Sequence, residues 1–118
     1  MSIYINGIET LNELILTNKL TVSGNLNLTT VAKSAGYTAN SDVFIECNAS
    51  GSAFTITLPS ATSSTHNVYI INKIDSSGNA VTINADASEL VDGELTQVLT
   101  TQYDVIKIRS NGTTWYTW

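Results

Sequence analysis

Between Val68 and Ala85 the chain reads VYIINKIDSSGNAVTINA, and this stretch constrains the fold more than any other. Two runs rich in Val, Ile, Thr and Tyr flank Asp75-Ser76-Ser77-Gly78-Asn79. Residues of the first kind fit a pleated, half-buried surface; those of the second kind punctuate it. Gly78 can take φ > 0 without steric cost, and Asp75 and Asn79 can bond their own backbone. The pattern predicts a β-hairpin with an exposed tip at Asp75–Asn79, serving as scaffold and not as an active site.

The flanking chain repeats the theme. Val43–Cys47 reads as a strand with Val43, Ile45 and Cys47 on one face and Phe44 and Glu46 on the other. Phe54, Ile56 and Leu58 form the inward set of the next strand, which Pro59 ends because it cannot donate to a ladder. Ser60–Asn67 is a polar loop. A short Leu90-Val91 strand precedes an Asp92-Gly93 turn into Leu95–Leu99. Tyr103–Arg109, a turn at Ser110-Asn111-Gly112 and Thr113–Trp118 complete the series. Ser50–Ile56 and Ser77–Ile83 both read S-G-x-A-[FV]-T-I at an offset of 27, with Val43-Phe44 loosely matching Ile70-Ile71 and Cys47 matching Ile74. Internal duplication and convergent turn chemistry both account for this. About eight short strands at regular spacing predict an all-β fold over residues 37–118, an antiparallel β-sandwich or jelly-roll-like domain.

Residues 1–32 read differently. Ile3 and Ile5 alternate with polar residues up to an Asn6-Gly7 turn. Thr10-Leu11-Asn12-Glu13 fits a capping box, and Ile8, Leu11, Leu14 and Ile15 would share a helical face. A strand from Leu14 to Thr17 is the competing reading, so helix and strand both stay open for residues 10–18. Leu20–Thr29 alternates on both sides of Gly24-Asn25 but carries few large side chains, and an isolated two-stranded unit is marginal in water. The segment is therefore expected to anchor and oligomerise, with Ile3, Ile5, Ile8, Leu11, Leu14 and Ile15 clustered between copies. Val31–Gly36 reads as the linker.

Composition excludes several roles. With a formal charge of −5 and five basic residues in 118, nothing suggests a phosphate-tracking surface, so no nucleic-acid partner is expected. No apolar run is long enough to span a bilayer, and the first residues lack the basic and apolar regions of a Sec signal, so neither membrane insertion nor Sec export is expected. Charged residues make up 13%, while 17 Thr, 13 Ser and 12 Asn supply a largely neutral polar surface.

Chemistry-bearing residues are few. His66 is the one histidine and Cys47 the one cysteine, too few for structural zinc. Asp86, Glu89, Asp92 and Glu94 could offer oxygen ligands but do not follow the spacing of a calcium loop, so no cofactor or metal is expected. Cys47 alternates onto the side of Val43 and Ile45 and reads as core. Trp115, Tyr116 and Trp118 crowd the C-terminus; core and interface packing is the simpler role, with Trp115 inward and Trp118 against a neighbour, and stacking on a sugar is the other.

Read together, Gly36-Tyr37-Thr38, Asp42–Ile45, Phe54–Pro59, Tyr69–Ile83, Thr100–Val105 and Ser110–Tyr116 resemble a module of phage tail-fibre, spike and head-fibre proteins. Leu20–Leu28 also resembles fibre-shaft sequence. The resemblance covers about 80 residues and implies a β-sandwich that trimerises about a threefold axis; it carries over no catalytic residue. It implies a homotrimeric, non-enzymatic virion protein made in the host cytoplasm. Residues 1–32 would hold other capsid or tail proteins, and residues 37–118 would be free to contact a host-surface glycan. The alternative is a carbohydrate-binding module using Trp115, Tyr116 and Trp118.

Overall fold

A computed structural model describes residues 15–118. The Asn6-Gly7 turn, the capping box and the residues Ile3, Ile5, Ile8, Leu11 and Leu14 lie outside the described residues; residues 15–18 form neither helix nor strand. Nine strands follow: β1 Thr30–Lys33, β2 Tyr37–Thr38, β3 Phe44–Cys47, β4 Phe54–Thr57, β5 Val68–Lys73, β6 Val81–Asn84, β7 Thr96–Leu99, β8 Val105–Ser110 and β9 Trp115–Thr117. They form two sheets, ordered β1-β3-β5-β8-β9 and β2-β4-β6-β7. The stretch read as a linker therefore contributes β1, an edge strand paired in parallel with β3.

Both sheets are mixed, which corrects the antiparallel expectation. From β1 to β6 the chain changes sheet at every connection, and successive strands within each sheet run parallel. Only β7, β8 and β9 add antiparallel pairs. Consequently Val68–Ala85 is not a hairpin. Its two strands lie in different sheets, and the loop between them is an arch that carries the chain across the core. Period-two alternation specifies that one face of a strand is buried; it does not specify which strand lies alongside. A hairpin and an arch share that alternation and the same turn residues. The hairpin that does form joins β8 to β9, with Ser110 opposite Trp115. Asp92-Gly93 is also a tight turn, with φ of 51° and 83° between bridged Val91 and Glu94.

The sequence repeat is the winding of this chain. Phe54, Thr55 and Ile56 lie beside Val81, Thr82 and Ile83, in the register of the 27-residue offset. In the other sheet the register is 26, since Phe44 lies beside Ile70 and Cys47 beside Lys73, not Ile74. The arch after β5 is one residue longer than the arch after β3, which absorbs the difference. Both arches open on the same turn: Asn48 Oδ1 accepts from the Ser50 N–H and Asp75 Oδ1 from the Ser77 N–H, each at 3.0 Å.

One core joins the sheets. Ile45, Ile71 and Ile108 enter from the first sheet and Ile56, Val81 and Ile83 from the second, all fully buried. The predicted inward residues Cys47, Phe54, Leu58 and Trp115 are buried too, whereas Val43 is half-buried. Trp115 packs on Tyr69 with ring centroids 5.7 Å apart, and Tyr69 Oη donates to the Asn40 carbonyl at 2.6 Å. The described residues extend over 53 × 29 × 21 Å, with a radius of gyration of 16.4 Å. A compact chain of this length would measure about 13 Å. The excess is consistent with residues 15–29, which form no strand and are exposed throughout.

Candidate functional site

The side chains capable of catalysis or metal binding fall in separate places. His66 is exposed in the loop before β5, at φ 65°, beside a shallow groove of about 430 Å³ that Asn40, Asp42, Asn67 and Tyr69 also line. Among the described residues no hydroxyl is hydrogen-bonded to it, and no three His, Cys, Asp or Glu side chains converge. Two of the four acidic-loop carboxylates are committed to the fold: Glu89 accepts from the Ala61 N–H at 2.9 Å and the Ser60 hydroxyl at 3.2 Å, and Asp92 accepts from the Thr117 N–H at 3.0 Å and the Thr117 hydroxyl. These bonds hold Asp92 below the usual carboxylate range. Cys47 is buried, and burial, with the nearby Asp75 carboxylate, pushes its thiol up to about 12. A thiol held protonated in this way is a poor nucleophile.

The arch at Ile74–Ala80 holds an ion pair where an exposed tip was expected. Lys73 is the inward residue at the end of β5, on the face of Tyr69 and Ile71, and is fully buried. Its Nζ donates to Asp75 Oδ1 at 2.6 Å, to the Asp75 carbonyl at 3.1 Å and to the Ser77 carbonyl at 3.0 Å. Asp75 Oδ2 accepts from the Ala49 N–H at 2.6 Å, and Asn79 Nδ2 donates to the Ala49 carbonyl at 2.8 Å. The later arch thus supplies the hydrogen-bond partners of the earlier one, stacking the two. Ser76 and Gly78 remain exposed; Asp75 does not. The signal was present in the sequence, since alternation from Tyr69 puts Lys73 inward and a carboxylate follows two residues later.

The outer faces of the two sheets differ in character. On the β2-β4-β6-β7 sheet, Thr38, Thr55, Thr57, Thr82, Asn84 and Thr96 line up in register, with Val98 at the edge. This face is uncharged and readily hydrated. On the other sheet, the outward positions include Phe44, Val68 and Ile70, half-buried, and Val105, Tyr116 and Trp118, which are exposed. Glu46, Lys107 and Arg109 lie among them. Lys107 Nζ sits 5.7 Å from the Trp118 ring centroid, and Arg109 lies opposite Tyr116. Trp115, by contrast, points inward and is fully buried, so a ligand platform could use only Tyr116 and Trp118 of the three C-terminal aromatics.

Residues 15–30 are exposed without interruption. Of the predicted interface residues only Ile15 falls among the described residues, and it is 75% exposed. Leu20, Val22, Leu26 and Leu28 are exposed as well, on either side of Gly24 at φ 135°. The segment joins the sheet at Thr29, whose carbonyl accepts from the Val43 and Phe44 N–H groups at 3.1 and 3.0 Å.

No protein-family model, curated protein or solved structure matches the chain.

Proposed function

We propose that the protein is a non-enzymatic structural subunit of a virus particle, a short fibre, spike or capsid decoration that forms a homotrimer. Its two sheets act as a β-sandwich wound largely in parallel, and residues 1–32 attach it to neighbouring capsid or tail proteins. The reading is carried by the exposed segment 15–30, in which Leu20, Val22, Leu26 and Leu28 recur two residues apart on both sides of Gly24, with no strand partner among the described residues. Each apolar side chain gains about 1.5–3 kcal/mol on full burial. Alternation of this kind forms a strand only when one face is covered, and within the described chain nothing covers it.

The test is mass in solution. At micromolar concentration the protein is expected at three times its chain mass of 12.7 kDa, and Leu20→Asp with Leu26→Asp is expected to release monomers with unchanged β-sheet circular dichroism. A monomeric wild-type protein would sink the trimer.

One observation favours a second reading, a carbohydrate-binding module. Tyr116 and Trp118 are 43% and 56% exposed on one side of β9, with cationic Lys107 and Arg109 alongside. Binding on a glycan array that disappears in Trp118→Ala, with the fold retained, would support it; an array without binding removes it.

A further inference from the structure

We infer that the outer face of the β1-β3-β5-β8-β9 sheet is covered by a second copy of this chain. This inference rests on the trimer reading and assigns a place in the fold to the second half of its interface. Three properties of the face point to a copy of itself.

The first is charge. Glu46 stands on β3, while Lys107 and Arg109 stand on β8, two strands away across β5. Neighbouring strands are about 4.8 Å apart and residues about 3.3 Å apart along a strand; Glu46 stands level with Val105, so it lies roughly 12 Å from Lys107 and roughly 16 Å from Arg109. Lys73–Asp75 is the one salt bridge among the described residues, which leaves these three without an ionic partner among them. In a protein of net charge −5 with a single Arg and four Lys, of which Lys73 is buried, two of the remaining cations stand on this face. The face therefore carries both signs, separated laterally. A head-to-tail contact sets the β3 side of one copy against the β8 side of the next, bringing Glu46 to Lys107 and Arg109 of the neighbouring copy. Contacts of that type close into rings when the rotation permits.

The second is apolar character. Phe44 and Ile70 share a row with Lys107, which Trp118 continues, and Val105 shares a row with Glu46 across Asn72. The opposite sheet offers threonine hydroxyls in the same places, which hydrate without a partner.

The third is area. Five strands at about 4.8 Å make a face roughly 24 Å wide, and six-residue strands make it about 20 Å long, or about 500 Å². A stable interface takes about 800 Å² per partner. Residues 15–29 run directly into β1, the edge of this sheet, and in extended form they span about 50 Å. The face alone falls short of that area, and the segment, exposed throughout, adds to it.

The experiment is charge reversal in the full chain, read by native mass spectrometry and sedimentation, with circular dichroism and the fluorescence of buried Trp115 confirming the fold. Glu46→Lys alone, and Lys107→Glu with Arg109→Glu, are each expected to weaken assembly at least about tenfold. Combining all three is expected to restore it. Val105→Asp is expected to disperse the trimer, while Thr55→Asp and Thr82→Asp on the opposite sheet leave it intact. A trimer that survives the charge reversals and Val105→Asp overturns this assignment and leaves the trimer itself standing. A wild-type monomer overturns both. Glycan binding by the intact trimer that is lost in Trp118→Ala would show the face open, and would also overturn the assignment.

Discussion

Lys73→Met is expected to lower the thermal midpoint by about 10 °C or more, because it leaves the Asp75 carboxylate buried without its counter-ion. The pair sits 2.6 Å apart with side chains 0% and 6% exposed. Asp75→Asn is expected to cost a similar amount, since it strands the ammonium instead. The double variant should lose less than the two singles added together, because removing both charges removes the desolvation that each imposes. Differential scanning calorimetry of the four proteins closes the cycle, and simple additivity would show that the two groups do not act as a pair.

The same pair predicts a pH dependence. Burial pushes the Asp75 carboxyl up, but hydrogen bonds from Lys73 and the Ser77 hydroxyl, with the Ala49 and Ser77 N–H groups, outweigh it and hold the carboxyl well below the usual range. A carboxyl depressed in the folded state contributes stability that is fully present above its unfolded pKa of about 3.9. That contribution falls away as the pH drops from there toward the depressed folded value. Asp92 acts in the same direction through its bonds from Thr117. The thermal midpoint should therefore hold steady from neutrality to about pH 4 and decline below it. In Lys73→Met the decline should be shallower, because the ammonium that helps hold the Asp75 proton off is gone. An equally steep acid decline in the variant would assign it to other carboxylates.

Trp115→Ala is expected to cost about 3–5 kcal/mol in urea unfolding, the range for removing a large aromatic from a core. Trp115, the first residue of β9, is fully buried against Tyr69, and it is among the largest fully buried side chains described. Its Nε1 has no hydrogen-bond partner among the described residues, so Trp115→Phe removes volume without breaking a bond found there and should cost only about 1–2 kcal/mol. The midpoint of unfolding should shift with an unchanged slope in both variants. If Trp115→Phe proved as damaging as Trp115→Ala, the indole N–H would have to be bonded in solution.

Local pattern determines some positions of this chain and not others. Cys47, Phe54, Ile56 and Leu58 were placed inward by alternation, and all are buried. The Asp92-Gly93 turn followed from its residues, because both positions take positive φ. Lys73 was not placed, although the same alternation points it inward, because a lysine stem is ordinarily read as surface. The Asp75 carboxylate and the Asp75 and Ser77 carbonyls, brought to it by the arch, make the burial tolerable.

For Val68–Ala85 the sequence by itself determined two short strands, each with one buried face, and a turn-rich connection between them. These are local properties, set by side-chain period and by which residues tolerate a turn. The tertiary structure decided that the strands part into different sheets, that β5 lies between β3 and β8, and that Asp75 closes over Lys73. Partner choice depends on residues 26 positions earlier and more than 30 later, and no local pattern encodes it. The 27-residue repeat was the one long-range signal in the chain, and its physical content is the register of two parallel strands stacked across successive turns of the winding.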